Sequence, residues 1–357
     1  MAGEDLTSAA HAVPPEMPLA ELEPATLRGL GRRVAARTRP LLANWFWGEG
    51  VCLLGLIRYA EAAGDPFPSE VYDFLHRTPV TVEHVNHVAP GTAAVLAWQA
   101  TGNQRYADLA GRLIDWVATV PRGRDGVLEH WPGGVWADTV FMAGVFLAHA
   151  GATFGRPDLL VEAGRQLVRH GEILQHANGL IAHGSHRDET VWCFWGRANA
   201  WYALACVEFL DLAGDLSDPV VGEVRDRLTR QLTALVALQP DHGVWDVLVD
   251  GQPENRGILE TSAAAGIGAA MLCAGRLLPN LSPAVPEAGD LAVRGALAYV
   301  ADDGALTRVS AGTVLQLVPF GYSVIRDDRI QPWGQGLALY AIAAALRASF
   351  PAQSAPA

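Results

Sequence analysis

The sequence predicts an all-α fold, an (α/α)6 barrel (six-hairpin toroid) in which a ring of inner helices is surrounded by a ring of outer helices. Apolar residues recur at three- and four-residue spacing along most of the 357 residues, which is the period of an amphipathic helix. Segments rich in Ala and Gly alternate with segments that carry one charged face. The first kind can be buried on nearly all sides, and the second kind can border solvent.

The periodic segments predict the helices in order. They are 27–42, 47–63, 92–101, 106–120, 137–154, 159–174, 197–212, 219–238, 261–278, 287–300 and 336–348. Six small-residue helices begin after aromatic or turn residues, and their starts are far enough apart for a helical hairpin and a loop each time. A superhelical solenoid would fit this repeat as well, but the unequal loops and the polar residues at the helix starts favour a closed barrel. Short hairpins are predicted at 244–249 and 313–325.

The composition predicts a single folded domain over residues 25–349, with a flexible leader at 1–24 and a tail at 350–357. Half of the residues are hydrophobic and 18% are charged, so the chain can form a large core. The first 24 residues contain no apolar run of signal-peptide length, and no stretch has the length and apolarity of a membrane helix. We therefore expect a protein of the cytoplasm with no membrane association.

The charge and the motif content exclude several classes of partner. The net charge is −12 and Lys and Arg do not cluster, so a nucleic-acid partner is not expected. Metal motifs such as HExxH and the EF-hand loop are absent, as are the glycine-rich phosphate loops and GxSxG. We predict that no metal ion and no cofactor is required. The four cysteines form no CxxC pair and are expected to be buried thiols.

The unusual residues concentrate at the starts of the predicted inner helices. They are Trp47, Asn86, His87, Trp136, Asp138, His183, Arg197 and Trp201. If these ends meet at one face, they form an aromatic pocket with a few charged and amide groups, which is typical of carbohydrate sites. Structural explanations remain open for each of them. Most tryptophans serve the core, Asp138 can be a first-turn carboxylate, Arg197 can belong to a buried ion pair and His183 can cap a loop.

Six segments, in this order, resemble glycoside hydrolase family 105, the unsaturated rhamnogalacturonyl hydrolases, and more distantly the unsaturated glucuronyl hydrolases of family 88. They are NWFWGEGV (44–51), VWADTVFMAG (135–144), GLIAHG (179–184), WGRANAW (195–201), ETSAAAG (260–266) and PWGQGLAL (332–339). The resemblance extends from about residue 44 to residue 346. WGRANAW is its most specific part. The segment 183–195 is shorter than the family pattern would suggest.

The resemblance implies a role for each candidate residue. Asp138 matches the general acid, and His183 would hydrogen-bond water or the sugar ring oxygen. Arg197 would pair with the substrate carboxylate, and the rings of Trp136 and Trp201 would stack on the unsaturated sugar. The remaining implied site residues are Trp47, His87 and Asn86. The family often has an aspartate just before the second inner helix, where VNHVAPG (85–91) offers Asn86 and His87, so Asn86 would orient water rather than act as a base.

The reaction implied by the resemblance is hydration of the C4=C5 double bond of an unsaturated uronyl oligosaccharide. For this, Asp138 would need a pKa raised by apolar surroundings. Two other functions remain open: a non-hydrolytic cyclase or isomerase that uses Asp138 to protonate an alkene or enol ether, and a catalytically silent sugar-binding barrel. A sugar epimerase or an ordinary glucuronidase on the same scaffold differs in not requiring an unsaturated substrate. The aglycone sugar and the oligomeric state are not predicted.

Overall fold

A computed structural model describes residues 19–214 and 216–349. Most of the predicted leader and the whole predicted tail lie outside these residues. The α-helices are α1 (Pro24–Thr38), α2 (Trp47–Ala63), α3 (Ser69–Arg77), α4 (Pro90–Thr101), α5 (Gln104–Thr119), α6 (Phe146–Thr153), α7 (Pro157–Leu174), α8 (Gly196–Ala213), α9 (Pro219–Ala237), α10 (Thr261–Leu277), α11 (Ala284–Leu297), α12 (Phe320–Ser323) and α13 (Pro332–Ser349). The strands are β1 (Gly134–Trp136), β2 (Gly184–His186) and β3 (Glu189–Val191), and a π-helix (Val140–Val145) leads directly into α6.

The helices form the predicted closed double ring. Helices α2, α4, α6, α8, α10 and α13 each pack against the next, and α13 returns to α2 to close the inner ring. Helices α1, α3, α5, α7, α9 and α11 pack outside them. Because consecutive helices alternate between the two rings, the inner helices run in the same direction and begin at the same end of the barrel, here called the mouth. The predicted (α/α)6 barrel is confirmed.

Small residues allow the inner helices to approach each other closely. At one such approach, between Gly55 of α2 and Gly336 of α13, a Cβ added at Gly55 would lie 2.7 Å from the Gly336 Cα. No side chain larger than hydrogen fits such a spacing. The alanine and glycine content that predicted buried inner helices therefore follows from backbone packing.

A buried polar network crosses the barrel interior between four inner helices. Glu208 of α8 accepts hydrogen bonds from the Arg58 Nε at 3.0 Å and from the hydroxyl of Tyr340, and its Oε2 lies 2.7 Å from the His149 Nε2. Burial alone would raise the pKa of the Glu208 carboxyl, but the charge of Arg58 and the hydrogen bonds with His149 and Arg58 hold it well below its usual range. This network places charged side chains between four inner helices, and the sequence analysis did not predict it.

The structure differs from the sequence predictions at the rim. Helix α3 was missed, because it has only nine residues and follows a proline-containing turn. The hairpin predicted at 244–249 is an irregular segment with isolated bridges to Trp195 and Leu259, and the one predicted at 313–325 contains the short helix α12 instead. Strands β1, β2 and β3 have three residues each, too few to show alternation in the sequence. No helix of the described chain is long and apolar enough to cross a membrane.

Candidate active site

A small antiparallel sheet brings Asp138 and His183 together at the mouth. Strand β1 ends two residues before Asp138, and β2 begins directly after His183. The strands pair with Trp136 opposite Gly184, and the Ala137 N–H donates to the His183 carbonyl at 3.1 Å. A Cβ at Gly184 would lie 2.6 Å from the Trp136 Cδ1, so this close pairing requires glycine. The sheet thereby fixes the two candidate side chains relative to each other.

The two predicted chemical groups face each other inside the barrel. His183 Nε2 lies 3.6 Å from Asp138 Oδ2, the carboxylate residue is 8% exposed and the histidine is fully buried. Neither of these two atoms has a hydrogen-bond partner within the described part of the chain. Buried polar atoms are nearly always paired in folded proteins, so an unpaired, facing couple indicates a place where a ligand supplies the partners.

The pKa of the Asp138 carboxyl differs in direction from the one that the sequence analysis expected. Burial raises the pKa of its carboxyl, but the electrostatic attraction of the His183 ring 3.6 Å away, with smaller contributions from His130 and Arg197, outweighs burial and leaves the pKa below its ordinary value. The expected raised pKa is therefore wrong for the protein alone. Burial lowers the pKa of His130 to about 3, so its ring is neutral near pH 7. An anionic ligand beside Asp138 would act in the opposite direction and raise the pKa of the carboxyl.

Aromatic rings form one wall of the site. Trp136 stacks on the His130 ring at 4.2 Å between centroids and meets the His183 ring edge-on at 5.0 Å. Trp131 packs edge-on against Trp136 at 4.5 Å and remains partly exposed. The Trp136 Nε1 is buried and unpaired among the described residues. Trp136 thus contacts the ring of His183 directly, and its predicted stacking on the sugar stays a prediction.

Asn86 and His87 lie on a 3-10 helix (Val85–Val88) that packs against the π-helix following Asp138. The Asn86 side chain is buried, and its Oδ1 has no partner in residues 19–214 or 216–349. His87 is half-buried, its ring lies 5.2 Å from that of Phe46, and burial lowers its pKa. Asn86 therefore offers an amide to the interior, while His87 lies further out on the rim.

Other groups of the protein already bind most of the Arg197 guanidinium, whereas the resemblance implied that it pairs with the substrate carboxylate. Its fully buried guanidinium lies 3.4 Å from the Glu260 carboxylate and donates from Nη1 to the carbonyl and hydroxyl of Ser310 at 2.7 and 2.9 Å. Nη2 donates to the Ala311 carbonyl at 2.9 Å, and Nε is unpaired within the described chain. The Nη1–Nη2 end is therefore occupied by the protein. Nε is the guanidinium nitrogen of Arg197 that remains without a partner among the described residues.

The two other predicted tryptophans differ in what they present. Trp47 is half-buried and stacks on Trp333 at 4.5 Å. Trp201 is fully buried, with its ring 4.9 Å from that of Phe141 and edge-on to Trp47 at 6.4 Å. Trp201 lacks the open face that stacking on a sugar requires, so the predicted stacking is replaced by packing inside the barrel. Its indole N–H is buried and unpaired in the described residues.

Tyr322 contacts the candidate site and was not indicated by the sequence. It belongs to α12, in the segment that connects α11 to α13, and it is fully buried. Its hydroxyl lies 2.7 Å from the His183 Nδ1, on the opposite side of the ring from Asp138. The segment 311–331 carries no helical periodicity and no motif, so only its three-dimensional course reveals this contact. Within the described residues, no group of three or more His, Cys, Asp or Glu is arranged to hold a metal ion.

Comparison with known proteins places this chain in a family. Residues 33–349 match the model of Glycosyl Hydrolase Family 88. The unsaturated rhamnogalacturonyl hydrolase YesR of Bacillus subtilis is 31% identical over 336 residues, which cover 88% of this chain and 93% of that protein.

Solved structures show the same fold. A possible member of family GH105 from Salmonella enterica superposes with a TM-score of 0.84 at 24% identity, covering 92% of this chain and 95% of that one. The unsaturated glucuronyl hydrolase from Bacillus sp. GL1 superposes with a TM-score of 0.70 at 16% identity, covering 90% and 96%. The family model, the full-length relative and the shared barrel agree with each other and with the six sequence segments. The chain is therefore a glycosidase that belongs to Glycosyl Hydrolase Family 88 and its family 105 relatives.

Proposed function

We propose that this glycosidase hydrolyses 4,5-unsaturated uronyl oligosaccharides, with Asp138 as the proton donor and acceptor. The observation that carries the proposal is the buried, facing pair of Asp138 and His183, whose Oδ2 and Nε2 atoms lie 3.6 Å apart without other partners in the described chain. The similarity to an unsaturated rhamnogalacturonyl hydrolase supports the substrate class. The small-molecule partner is thus an oligosaccharide, and the predictions of a cytoplasmic location and no nucleic-acid partner remain predictions.

The charges around the mouth support an anionic substrate. All six inner helices begin there, so the positive ends of their dipoles point toward the bound sugar. Arg197, whose charge is paired with Glu260, adds an unpaired Nε–H donor, and its charge also interacts with that of Asp138. A uronate carboxylate placed among them would be stabilised by these groups. Its own charge would raise the pKa of Asp138, which then takes up the proton that the reaction needs.

The proposed reaction returns every proton. The Asp138 carboxyl gives its proton to C4 of the double bond, and water attacks C5 while the Asp138 carboxylate accepts a proton from that water. The product is a hemiketal at C5, whose ring opens to a ketone. Opening leaves a hemiacetal at C1, which collapses to an aldehyde and releases the aglycone alcohol. A single carboxyl suffices, so the two-carboxylate separation rule of ordinary glycosidases does not apply.

Three other side chains have supporting roles in this proposal. His183 hydrogen-bonds the attacking water or the ring oxygen from its unpaired Nε2. The buried Asn86 amide orients water or a sugar hydroxyl but cannot take a proton. Trp136 encloses the sugar, since its ring already contacts that of His183. Trp47 and His87 lie further toward the rim, where the aglycone would extend.

The proposal is tested with lyase-generated disaccharides that carry an unsaturated uronate on different aglycones, starting with rhamnose because of the rhamnogalacturonyl-specific relative. The ultraviolet absorbance of the conjugated uronate should disappear with the wild-type protein. Asp138→Asn should lower kcat by about 10²- to 10⁴-fold, the usual contribution of a positioned acid. Asp125→Asn is the matched control, because Asp125 is exposed on the rim and its φ of 57° suits asparagine.

Each outcome has a clear meaning. Loss of absorbance with the wild type and the control, but not with Asp138→Asn, supports the proposal, and the preferred disaccharide identifies the aglycone. A folded wild-type protein that consumes no member of the panel contradicts it and favours the cyclase, isomerase or sugar-binding alternatives. Equal cleavage of saturated uronides contradicts it in favour of an ordinary glucuronidase.

A further inference from the structure

We propose that Tyr322 is a positioning residue that fixes the tautomer of His183, so that the ring presents its Nε2–H to Asp138. The kinetic consequence rests on the proposed function, whereas the tautomer itself does not. Tyr322 is brought to the site by the mouth segment, defined as residues 311–331 between the last turn after α11 and the start of α13. Hydrogen bonds hold this segment in place near its base and near its tip.

The mouth segment is fixed at its stem and at its tip. Its first residue is joined to its C-terminal part by a hydrogen bond from the Ala311 N–H to the Arg326 carbonyl at 2.8 Å. Near its tip, the Asn255 side-chain amide donates to the Pro319 carbonyl at 3.0 Å. Between these anchors Leu317 is 74% exposed while Tyr322 is fully buried. One face of the segment therefore borders solvent, and the other inserts the phenol into the barrel.

The hydrogen bonds around the phenol fix the direction of its proton. The Gln316 backbone N–H, which can only donate, points to the Tyr322 oxygen at 3.4 Å. The phenol hydrogen is thereby left for the other polar atom in reach, the His183 Nδ1 at 2.7 Å. Burial raises the pKa of Tyr322 above its ordinary value, so the phenol keeps this hydrogen. In the neutral imidazole, Nδ1 is consequently the acceptor.

The tautomer set by Tyr322 determines whether the opposite ring nitrogen, Nε2, carries a hydrogen. With Nδ1 as acceptor, the single hydrogen of the neutral ring is on Nε2, which faces Asp138 Oδ2 at 3.6 Å. The other tautomer would direct a lone pair at the carboxylate and remove the donor. No other side chain of the described residues hydrogen-bonds to the His183 Nδ1. Tyr322 acts through His183 and not on the reacting atoms, and this distinguishes it from a catalytic residue.

The direct test is nitrogen NMR of the full-length protein with ¹⁵N-labelled histidine, at a pH where His183 is neutral. The His183 signals are assigned by their loss in His183→Gln. The wild type should show a protonated Nε2 and an unprotonated Nδ1. In Tyr322→Phe, which keeps the ring and removes only the hydroxyl, the two shifts should move toward each other as both tautomers become populated. Tyr72→Phe is the matched control, because Tyr72 is half-buried on the outer helix α3 and stacks on Phe67 at 4.8 Å.

Kinetics supply the second measurement. We expect kcat of Tyr322→Phe to fall about 3- to 10-fold, the effect of one neutral hydrogen bond, with KM nearly unchanged and Tyr72→Phe equal to wild type. A wild type with its hydrogen on Nδ1, or a Tyr322→Phe variant with unchanged His183 shifts, would overturn the proposal. If the shifts move as expected but no unsaturated uronide is consumed by any protein, the positioning role stands and the proposed function fails.

Discussion

The ion pair between Arg197 and Glu260 allows a quantitative test of how the mouth is held together. Both side chains are fully buried, with Nη1 and Oε2 3.4 Å apart. At this distance the attraction between unit charges is about 5 kcal/mol in a medium with an effective dielectric constant of about 20. Glu260→Gln removes the charge and preserves the shape. The variant leaves Arg197 as an uncompensated buried cation, for which a loss of about 3–5 kcal/mol in the free energy of unfolding is expected.

Equilibrium unfolding in urea, followed by tryptophan fluorescence, measures this loss as a lower midpoint at an unchanged m-value. The Gln amide oxygen can still accept from the Ser262 N–H, so the N-terminal cap of α10 is retained. The Ser310 N–H loses its acceptor on Oε2, so the measured change reports the loss of the charge together with this one hydrogen bond. Arg326→Met removes one partner of an exposed pair whose atoms lie 2.8 Å apart, and it should cost less than about 1 kcal/mol. If Glu260→Gln cost as little as Arg326→Met, the structural role assigned to the Arg197–Glu260 pair would be refuted.

Three further predictions follow from the same contacts. The ratio kcat/KM should fall as pH rises through the acid range, since Asp138 donates only when protonated and its pKa in the free protein lies below the ordinary value. The value of kcat should persist to higher pH, because the substrate carboxylate raises that pKa. A kcat/KM that increases with pH would contradict this assignment. Burial raises the pKa of Asp246 to about 6 in the folded protein. The contribution of this side chain to the free energy of unfolding is therefore complete below its pKa in the unfolded chain, and it is lost as pH rises through its pKa in the folded protein. Asp246→Asn should therefore raise the free energy of unfolding by about 1–2 kcal/mol at pH 8, after allowance for its partial exposure, and by nothing near pH 4; equal effects in thermal melts at both pH values would disprove the explanation. Gly55→Ala should destabilise the barrel by about 1–3 kcal/mol in urea unfolding, because the added Cβ meets the backbone of α13. Gly111→Ala, with no atom near its added Cβ, should stabilise α5 by about 0.5–1 kcal/mol. A stabilising Gly55→Ala would mean that α2 and α13 are further apart.

The barrel was predictable because its determinants are local and periodic. The segment predicted as 47–63 is α2, and the helix predicted at 219–238 ends within one residue of α9. Helix α3 and the three short strands escaped prediction, since they are too short for a period to appear. The strands exist because β1 and β2 meet across the fold, which no local window of sequence contains.

The position of a candidate site residue was predictable where it stands in a recognisable segment, and its contacts were unpredictable where the partner is distant in sequence. Asp138 and His183 stand in segments that resemble the family, and the structure brings them together. The Glu260 partner of Arg197 is 63 positions away, and Tyr322 is 139 positions from His183. The lowered pKa of Asp138 depends on charges assembled by folding, whereas the sequence suggested only an apolar, tryptophan-rich environment.

The reaction itself is tested most directly by turnover in deuterium oxide, with the products followed by proton NMR as they form. If Asp138 protonates the double bond, the uronic product of the wild-type protein should carry one deuterium at C4, in a single configuration, for each aglycone released. Asp138→Asn should yield neither deuterium incorporation nor aglycone at a comparable rate. Aglycone release by the wild type without deuterium at C4 would contradict the account, because it would mean that the glycosidic bond is broken without protonation of the alkene.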